Sequence, residues 1–178
     1  MISWSGGLWI CAAWTTPWLR DGRRKREIRY LADNMLGRLA RYMRIMGYDT
    51  SYPNLEISDS ELIEISRADD RVLLSRDKQL CSRYKQSIYI ISDRIDEQII
   101  QITNLERPRK EFLFSRCTIC NGVLVKGDHN CEEEYDPRKI DTVYHCPNCG
   151  KCYWEGTHSH NILAKLESLK VYNETQTE

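Results

Sequence analysis

The sequence has no net charge and, beyond its first 19 residues, no long apolar run. Its 178 residues carry 26 basic and 26 acidic side chains. This balance excludes a disordered polyelectrolyte and a protein that coats nucleic acid with a uniformly basic surface. No apolar stretch after residue 19 approaches the roughly 20 residues that span a bilayer. The composition therefore predicts a soluble globular protein with no membrane partner.

Cysteine is scarce in the first two thirds of the chain, where Cys11 and Cys81 stand alone. The last third holds the other six: Cys117, Cys120, Cys131, Cys146, Cys149 and Cys152. This concentration predicts a small metal-binding or disulfide-bonded module attached to a larger domain with few thiols. We predict an extension at 1–27, a larger domain at 28–112, a cysteine-rich module at 113–170 and a disordered tail at 171–178.

The first 19 residues lack the positive charge that precedes the apolar stretch of a secretory signal. Five basic residues instead follow this stretch, and Gly6, Gly7 and Pro17 interrupt it. We expect a disordered extension before residue 28. A membrane anchor of reverse orientation is the alternative.

From Ile28 onward, short apolar runs alternate with segments of helical periodicity. Strands are predicted at 28–33, 48–52, 71–75 and 87–92, and helices at 34–47, 58–70, 77–84 and 96–107. The first helix shows the 3–4 spacing of an amphipathic helix in Met35, Leu36, Leu39, Met43 and Met46. The alternation predicts an α/β fold in which helices cover both faces of a parallel sheet.

Three aspartates lie near the expected carboxyl ends of these strands: Asp33, Asp59 and Asp77. Parallel sheets carry their chemistry at this edge, and carboxylates there suit Mg²⁺ or Mn²⁺. Such a metal activates water and stabilises the leaving oxygen in phosphodiester hydrolysis. The alternative is that each aspartate only caps a helix or complements its dipole. Ser58 and Glu61 fit a capping box of this kind.

Arg38, Arg41 and Arg44 recur at every third position of the first predicted helix. They form either a solvated face or a set of phosphate contacts beside the acidic edge, because arginine binds phosphate through two hydrogen bonds. The sequence by itself leaves both interpretations open.

Two C-x-x-C motifs, Cys117/Cys120 and Cys146/Cys149, predict a closed tetrahedral zinc site. Disulfides are the alternative, but a chain of cytosolic character favours metal. Cys152 is an alternative ligand to Cys149, although its aromatic neighbours favour a strand position. A site with four cysteine ligands has no open coordination position, so the predicted zinc is structural. The module either binds nucleic acid or a partner, or stabilises the sheet by packing against it.

The blocks RYLADNMLGRLARYMRIMGYDTSY, DSELIEISRADDRVLLSRDKQL, the two cysteine motifs and CYWEGTHSHNIL occur in this order over residues 28–165. Together they resemble the Mut-seven C-terminal RNase domain family, a branch of the PIN-like nucleases with an attached zinc ribbon. The resemblance implies a three-layer α/β/α sandwich and metal-dependent cleavage of RNA. It also implies roles for Asp33, Asp59 and Asp77 as catalytic metal ligands.

The same resemblance implies that Arg38, Arg41 and His158 contact the substrate, and we predict that Arg44 on the same helix binds phosphate with them. The additional glutamate of many PIN nucleases has no clear counterpart, because Glu56 is badly placed. We predict a cytoplasmic Mg²⁺- or Mn²⁺-dependent ribonuclease with RNA as its partner. Two alternatives remain open: a catalytically silent RNA- or ribosome-binding adaptor, and a toxin-type endonuclease with a neutralising partner.

Overall fold

The computed structural model describes residues 28–53, 57–127, 140 and 142–172. Its first part alternates strands and helices, as the sequence predicts. The strands are β1 (Arg29–Ala32), β2 (Asp49–Ser51), β3 (Val72–Ser75) and β4 (Ser87–Tyr89). The helices are α1 (Gly37–Ile45), α2 (Asp59–Ala68), α3 (Lys78–Arg83) and α4 (Ile95–Leu105). All strand pairs are parallel and the sheet order is β2-β1-β3-β4.

Alternating side chains of the central strands point to opposite faces of the sheet. Tyr30 and Ala32 pack into one apolar cluster, and Leu31 between them packs into the other. This alternation is the period of two that a strand imposes. Helices α1 and α4 contribute to the first cluster, and α2 and α3 to the second. The predicted α/β class, with helices on both faces of a parallel sheet, is confirmed.

The predicted helix at 34–47 begins as a 3-10 turn over Asn34–Leu36 and becomes α-helical only at Gly37. It ends where expected, because Gly47 has φ +90, a conformation that glycine adopts without steric cost. A Cβ at this position would lie 2.6 Å from the carbonyl oxygen of Phe112. Glycine is therefore required at position 47 for two reasons: the positive φ, and the close approach of Phe112, which leaves no room for a Cβ.

The cysteine-rich part forms a second, antiparallel sheet with the order β5-β6-β7. Its strands are β5 (Val125–Lys126), β6 (Val143–His145) and β7 (Cys152–Trp154), and helix α5 (Thr157–Ser168) follows. The predicted strand position of Cys152 is confirmed. Among the described helices, none combines the length and apolar composition that crossing a membrane requires.

Helix α5 packs on the first domain, although the sequence places it in the cysteine-rich module. Leu166 belongs to the first apolar cluster, and the Lys165 Nζ lies 2.6 Å from Asp96 Oδ1 of α4. Val171 is also buried in that cluster, so the predicted disordered tail at 171–178 begins too early. The predicted extension at 1–27 lies outside the described residues.

Candidate functional site

The acidic edge begins at Asp33, directly after β1. The Asp33 backbone amide donates to the Leu74 carbonyl at 3.0 Å, which places this residue beside the end of β3. Its side chain is buried and accepts hydrogen bonds from the Met35 amide at 2.8 Å and from the Ser75 hydroxyl. The predicted capping role of Asp33 is therefore confirmed. A buried carboxylate with two donors has a fixed orientation.

Ser75 joins the two aspartates that follow neighbouring strands. Its side chain is fully buried, and its hydroxyl donates to Asp33 Oδ2 and accepts from the Asp77 amide at 2.9 Å. This serine is not among the site residues predicted from the sequence. The available signal was a polar residue at the end of the apolar run VLLS, two residues before an aspartate.

Asp77 is exposed at the start of α3. Its Oδ1 accepts from the amides of Gln79 at 2.6 Å and Leu80 at 3.2 Å, so its capping role is also confirmed. Within the described residues, its Oδ2 accepts no hydrogen bond. One oxygen of Asp77 thus fixes the helix start, and the exposed side chain retains a second oxygen that can accept a ligand.

Asp59 lies in the first turn of α2, where Ser58 and Glu61 form the predicted capping box. Its Oδ2 is 3.1 Å from Arg83 Nη1, and Arg83 Nη2 donates to the Ser60 hydroxyl at 3.2 Å. Both partners of the ion pair are about half exposed. The side chain of Asp59 is therefore directed to α3 by a contact that solvent screens.

The three aspartates do not form a compact ligand set within the ranges that the structure describes. There, only the cysteines form a group of at least three ligand residues whose atoms lie within 4.8 Å of one another. The structure links Asp33 to Asp77 through Ser75 and pairs Asp59 with Arg83. A divalent ion at this edge would have to draw the carboxylates closer together.

The three predicted arginine contacts separate into two groups. Arg38 and Arg41 are exposed on α1, as a substrate-binding face requires. Arg44 is buried, and its guanidinium donates to three backbone carbonyls, at 2.8 Å to Thr50 and at 2.9 Å to both Thr118 and Ile119. Arg44 is therefore a structural residue and not a phosphate contact, which corrects the prediction from its spacing.

Four thiols form the predicted metal centre: Cys117, Cys120, Cys146 and Cys149. The Cys117 and Cys149 sulfurs are 3.5 Å apart, and the Cys120 and Cys146 sulfurs are 3.3 Å apart. These separations exclude disulfides, whose sulfurs are about 2.05 Å apart. They are close to the roughly 3.8 Å between ligands of a tetrahedral site with Zn–S bonds of about 2.3 Å. The donor set therefore fits zinc.

Hydrogen bonding and burial shift the thiol pKa values in opposite directions. Burial by itself raises the pKa of Cys117, but hydrogen bonds from Tyr153 and from the amides of Cys120 and Ile119 outweigh it and hold the pKa at about 7. Burial raises the pKa of Cys120 to about 12. Cys120 therefore does not ionise near neutral pH unless a cation shares its charge.

His158 and His160 lie in the first turn of α5, and both are exposed. No described contact links His158 to the acidic edge, so its substrate role stays a prediction. Cys131 and Glu56, which the sequence analysis also considered, lie outside the described residues.

Comparison with known proteins adds one match. No curated protein and no solved structure matches the chain. The family model described as the Mut7-C RNAse domain matches residues 28–166, which contain the parallel sheet, the acidic edge and the four clustered cysteines. The chain therefore belongs to the Mut7-C RNAse domain family.

Proposed function

We propose that the chain is a ribonuclease that hydrolyses RNA phosphodiester bonds with Mg²⁺ or Mn²⁺ at the acidic edge. The observation that carries the proposal is the Asp33–Ser75–Asp77 connection at the carboxyl ends of neighbouring parallel strands. Membership of an RNase domain family supports the reaction class. Asp33, Asp59 and Asp77 are the proposed metal ligands.

The residues at this edge fit a hard divalent cation, because carboxylate oxygens are its preferred ligands. The cation supplies an activated water and charge stabilisation for the leaving oxygen. Asp33 contributes a carboxylate that Ser75 and the Met35 amide hold in place, and Asp77 contributes its second oxygen. Asp59 contributes once it exchanges its exposed partner Arg83 for the metal.

A divalent ion competes favourably with Arg83 for the carboxylate of Asp59. An exposed ion pair is worth about 0–1 kcal/mol and weakens with salt. Once released, the Arg83 guanidinium is suited to a phosphate oxygen, as are the exposed Arg38 and Arg41 on α1. We propose that these three arginines hold the RNA backbone, with His158 as a further contact.

The test is cleavage of a single-stranded RNA oligomer by wild type, Asp33→Asn and Asp77→Asn with Mn²⁺ added. Both variants should lose cleavage and keep their circular dichroism spectrum. Asp69→Asn is the matched control, because Asp69 lies at the opposite, carboxyl end of α2 and is exposed. Equal cleavage by wild type and both variants would show that the activity lies elsewhere.

A catalytically silent RNA-binding adaptor is the second candidate. The observation in its favour is that Asp33 and Asp77 already serve as helix caps and Asp59 already has an ion-pair partner. This candidate predicts salt-dependent RNA binding that Arg38→Gln with Arg41→Gln abolishes, and no cleavage at any Mn²⁺ concentration. For either function we propose a cytoplasmic location, because the four clustered cysteines are free thiols, as a reducing compartment keeps them, although Cys152 is disulfide-bonded.

A further inference from the structure

Strand β2 lies at the edge of the parallel sheet, and no described strand pairs with its outer side. An open edge exposes backbone groups that can pair with another chain. Here the two backbone groups of Thr50 are satisfied by side chains. The Thr50 amide donates to Asn121 Oδ1 at 3.0 Å, and its carbonyl accepts from Arg44 Nε at 2.8 Å. Asn121 directly follows Cys120 of the first cysteine motif, so the cysteine-rich module closes this edge.

Arg44 fixes the same junction from helix α1. Its Nη1 donates to the carbonyls of Thr118 and Ile119, both at 2.9 Å, and these two residues lie between Cys117 and Cys120. One buried guanidinium therefore joins α1, the edge strand and the metal-binding turn. The turn presents both carbonyls to Arg44 only while it is folded.

Asn121 occupies a backbone conformation that favours glycine, with φ +69. Its amide donates to the Cys117 carbonyl at 3.0 Å, and in the second cysteine motif the Gly150 amide makes the equivalent bond to Cys146 at 2.9 Å. Gly150 has φ +74. The two turns thus share one geometry, but the first has an asparagine where the second has a glycine.

The side chain of Asn121 accounts for this difference. Besides accepting from the Thr50 amide, it donates from Nδ2 to Asp49 Oδ1 at 2.8 Å. Arg71 and Arg116 hold the Asp49 carboxylate at 2.6 and 3.8 Å. Glycine would satisfy the geometry of this turn as well as asparagine does. The asparagine side chain is therefore explained by its contacts with Asp49 and Thr50 of β2.

We infer that the first cysteine motif is a metal-dependent clasp on the open edge of the nuclease sheet, with Asn121 and Arg44 as its contacts. Metal binding and ordering of β2 are then linked equilibria. Loss of the metal releases the turn, and the edge strand becomes free to exchange its amides and to pair with a second copy of the chain. This inference does not depend on RNA cleavage.

Hydrogen exchange on the full chain, measured with zinc bound and after chelation, tests the clasp. Zinc release is verified by a colorimetric chelator. Removal of zinc should accelerate exchange of the β2 amides by about tenfold or more, the change expected from losing roughly one hydrogen bond. The amides of strand β4, at the opposite edge of the sheet, should show a smaller acceleration of exchange. Unchanged exchange in β2, or equal acceleration in both edge strands, would overturn the clasp.

Asn121→Gly separates the clasp from the fold of the metal site. Glycine keeps the positive φ of the turn, so the variant should still bind one zinc, with an affinity lowered by no more than the roughly tenfold coupling between metal binding and β2 ordering. Its β2 amides should exchange about tenfold faster with zinc bound, and chelation should accelerate them less than in wild type, because only the Arg44 contacts with the turn remain to be lost. A variant whose β2 remains as protected as in wild type would refute the role of the side chain.

Discussion

Replacing Ser75 by alanine probes the connection between the two strand-end aspartates. The substitution removes the hydroxyl that donates to Asp33 and accepts from the Asp77 amide. A hydrogen bond to a charged group contributes about 1.5–3 kcal/mol and a neutral one about 0.5–1.5 kcal/mol. We therefore expect Ser75→Ala to lower the free energy of unfolding by about 2–4 kcal/mol. For a chain of this size this corresponds to a fall in Tm of about 4–16 °C.

Ser66→Ala is the matched control for this prediction. Ser66 is as fully buried as Ser75, but within the described residues its hydroxyl has no hydrogen-bond partner. Its removal should change stability by less than about 0.5 kcal/mol or should increase it. Urea denaturation of both variants, with unchanged m-values, measures the difference. Equal stabilities of the two variants would refute the assigned role of Ser75.

Two further predictions concern the sheet edge and the turns. Burial by itself raises the pKa of Asp49, but hydrogen bonds led by that from Arg71 outweigh it and lower the pKa. The resulting stabilisation is fully present above about pH 4 and is lost as pH falls through the lowered pKa. Urea denaturation should therefore show that Asp49→Asn lowers the free energy of unfolding at pH 7 and lowers it progressively less as the pH falls below about 4; a cost independent of pH would contradict this. Gly47→Ala should lower the free energy of unfolding by at least about 3 kcal/mol, because the new residue would have a positive φ and its Cβ would overlap Phe112. Gly150→Ala should lower the free energy of unfolding by only about 1–2 kcal/mol, because a Cβ at this position meets open space. Thermal denaturation compares the two variants. Equal losses of stability would contradict the overlap at Gly47.

The features that the sequence predicted correctly depend on local patterns. Alternating apolar runs predicted the strands and helices, since each element is set by its own periodicity. The capping positions of Asp33 and Asp77 and the Ser58–Glu61 box also involve neighbours two or three residues apart. The C-x-x-C spacing identified all four cysteines of the group that could hold a metal ion.

The features that the sequence missed depend on contacts between distant parts of the chain. The partners of Arg44 in the metal-binding turn lie 74 and 75 residues away, and helical spacing gave no indication that this arginine is buried. The Asp59–Arg83 pair and the packing of α5 on α4 likewise arise only in the folded chain. Ser75 was overlooked because a serine at a strand end has no distinctive spacing.

The central claim is that carboxylates at the strand ends gather around one divalent ion. Electron paramagnetic resonance of added Mn²⁺ measures this directly in the zinc-loaded protein. The proposed arrangement predicts one bound Mn²⁺ in wild type and in Asp69→Asn, and greatly weakened binding in Asp33→Asn and Asp77→Asn. Equal Mn²⁺ binding by all four proteins would contradict the claim.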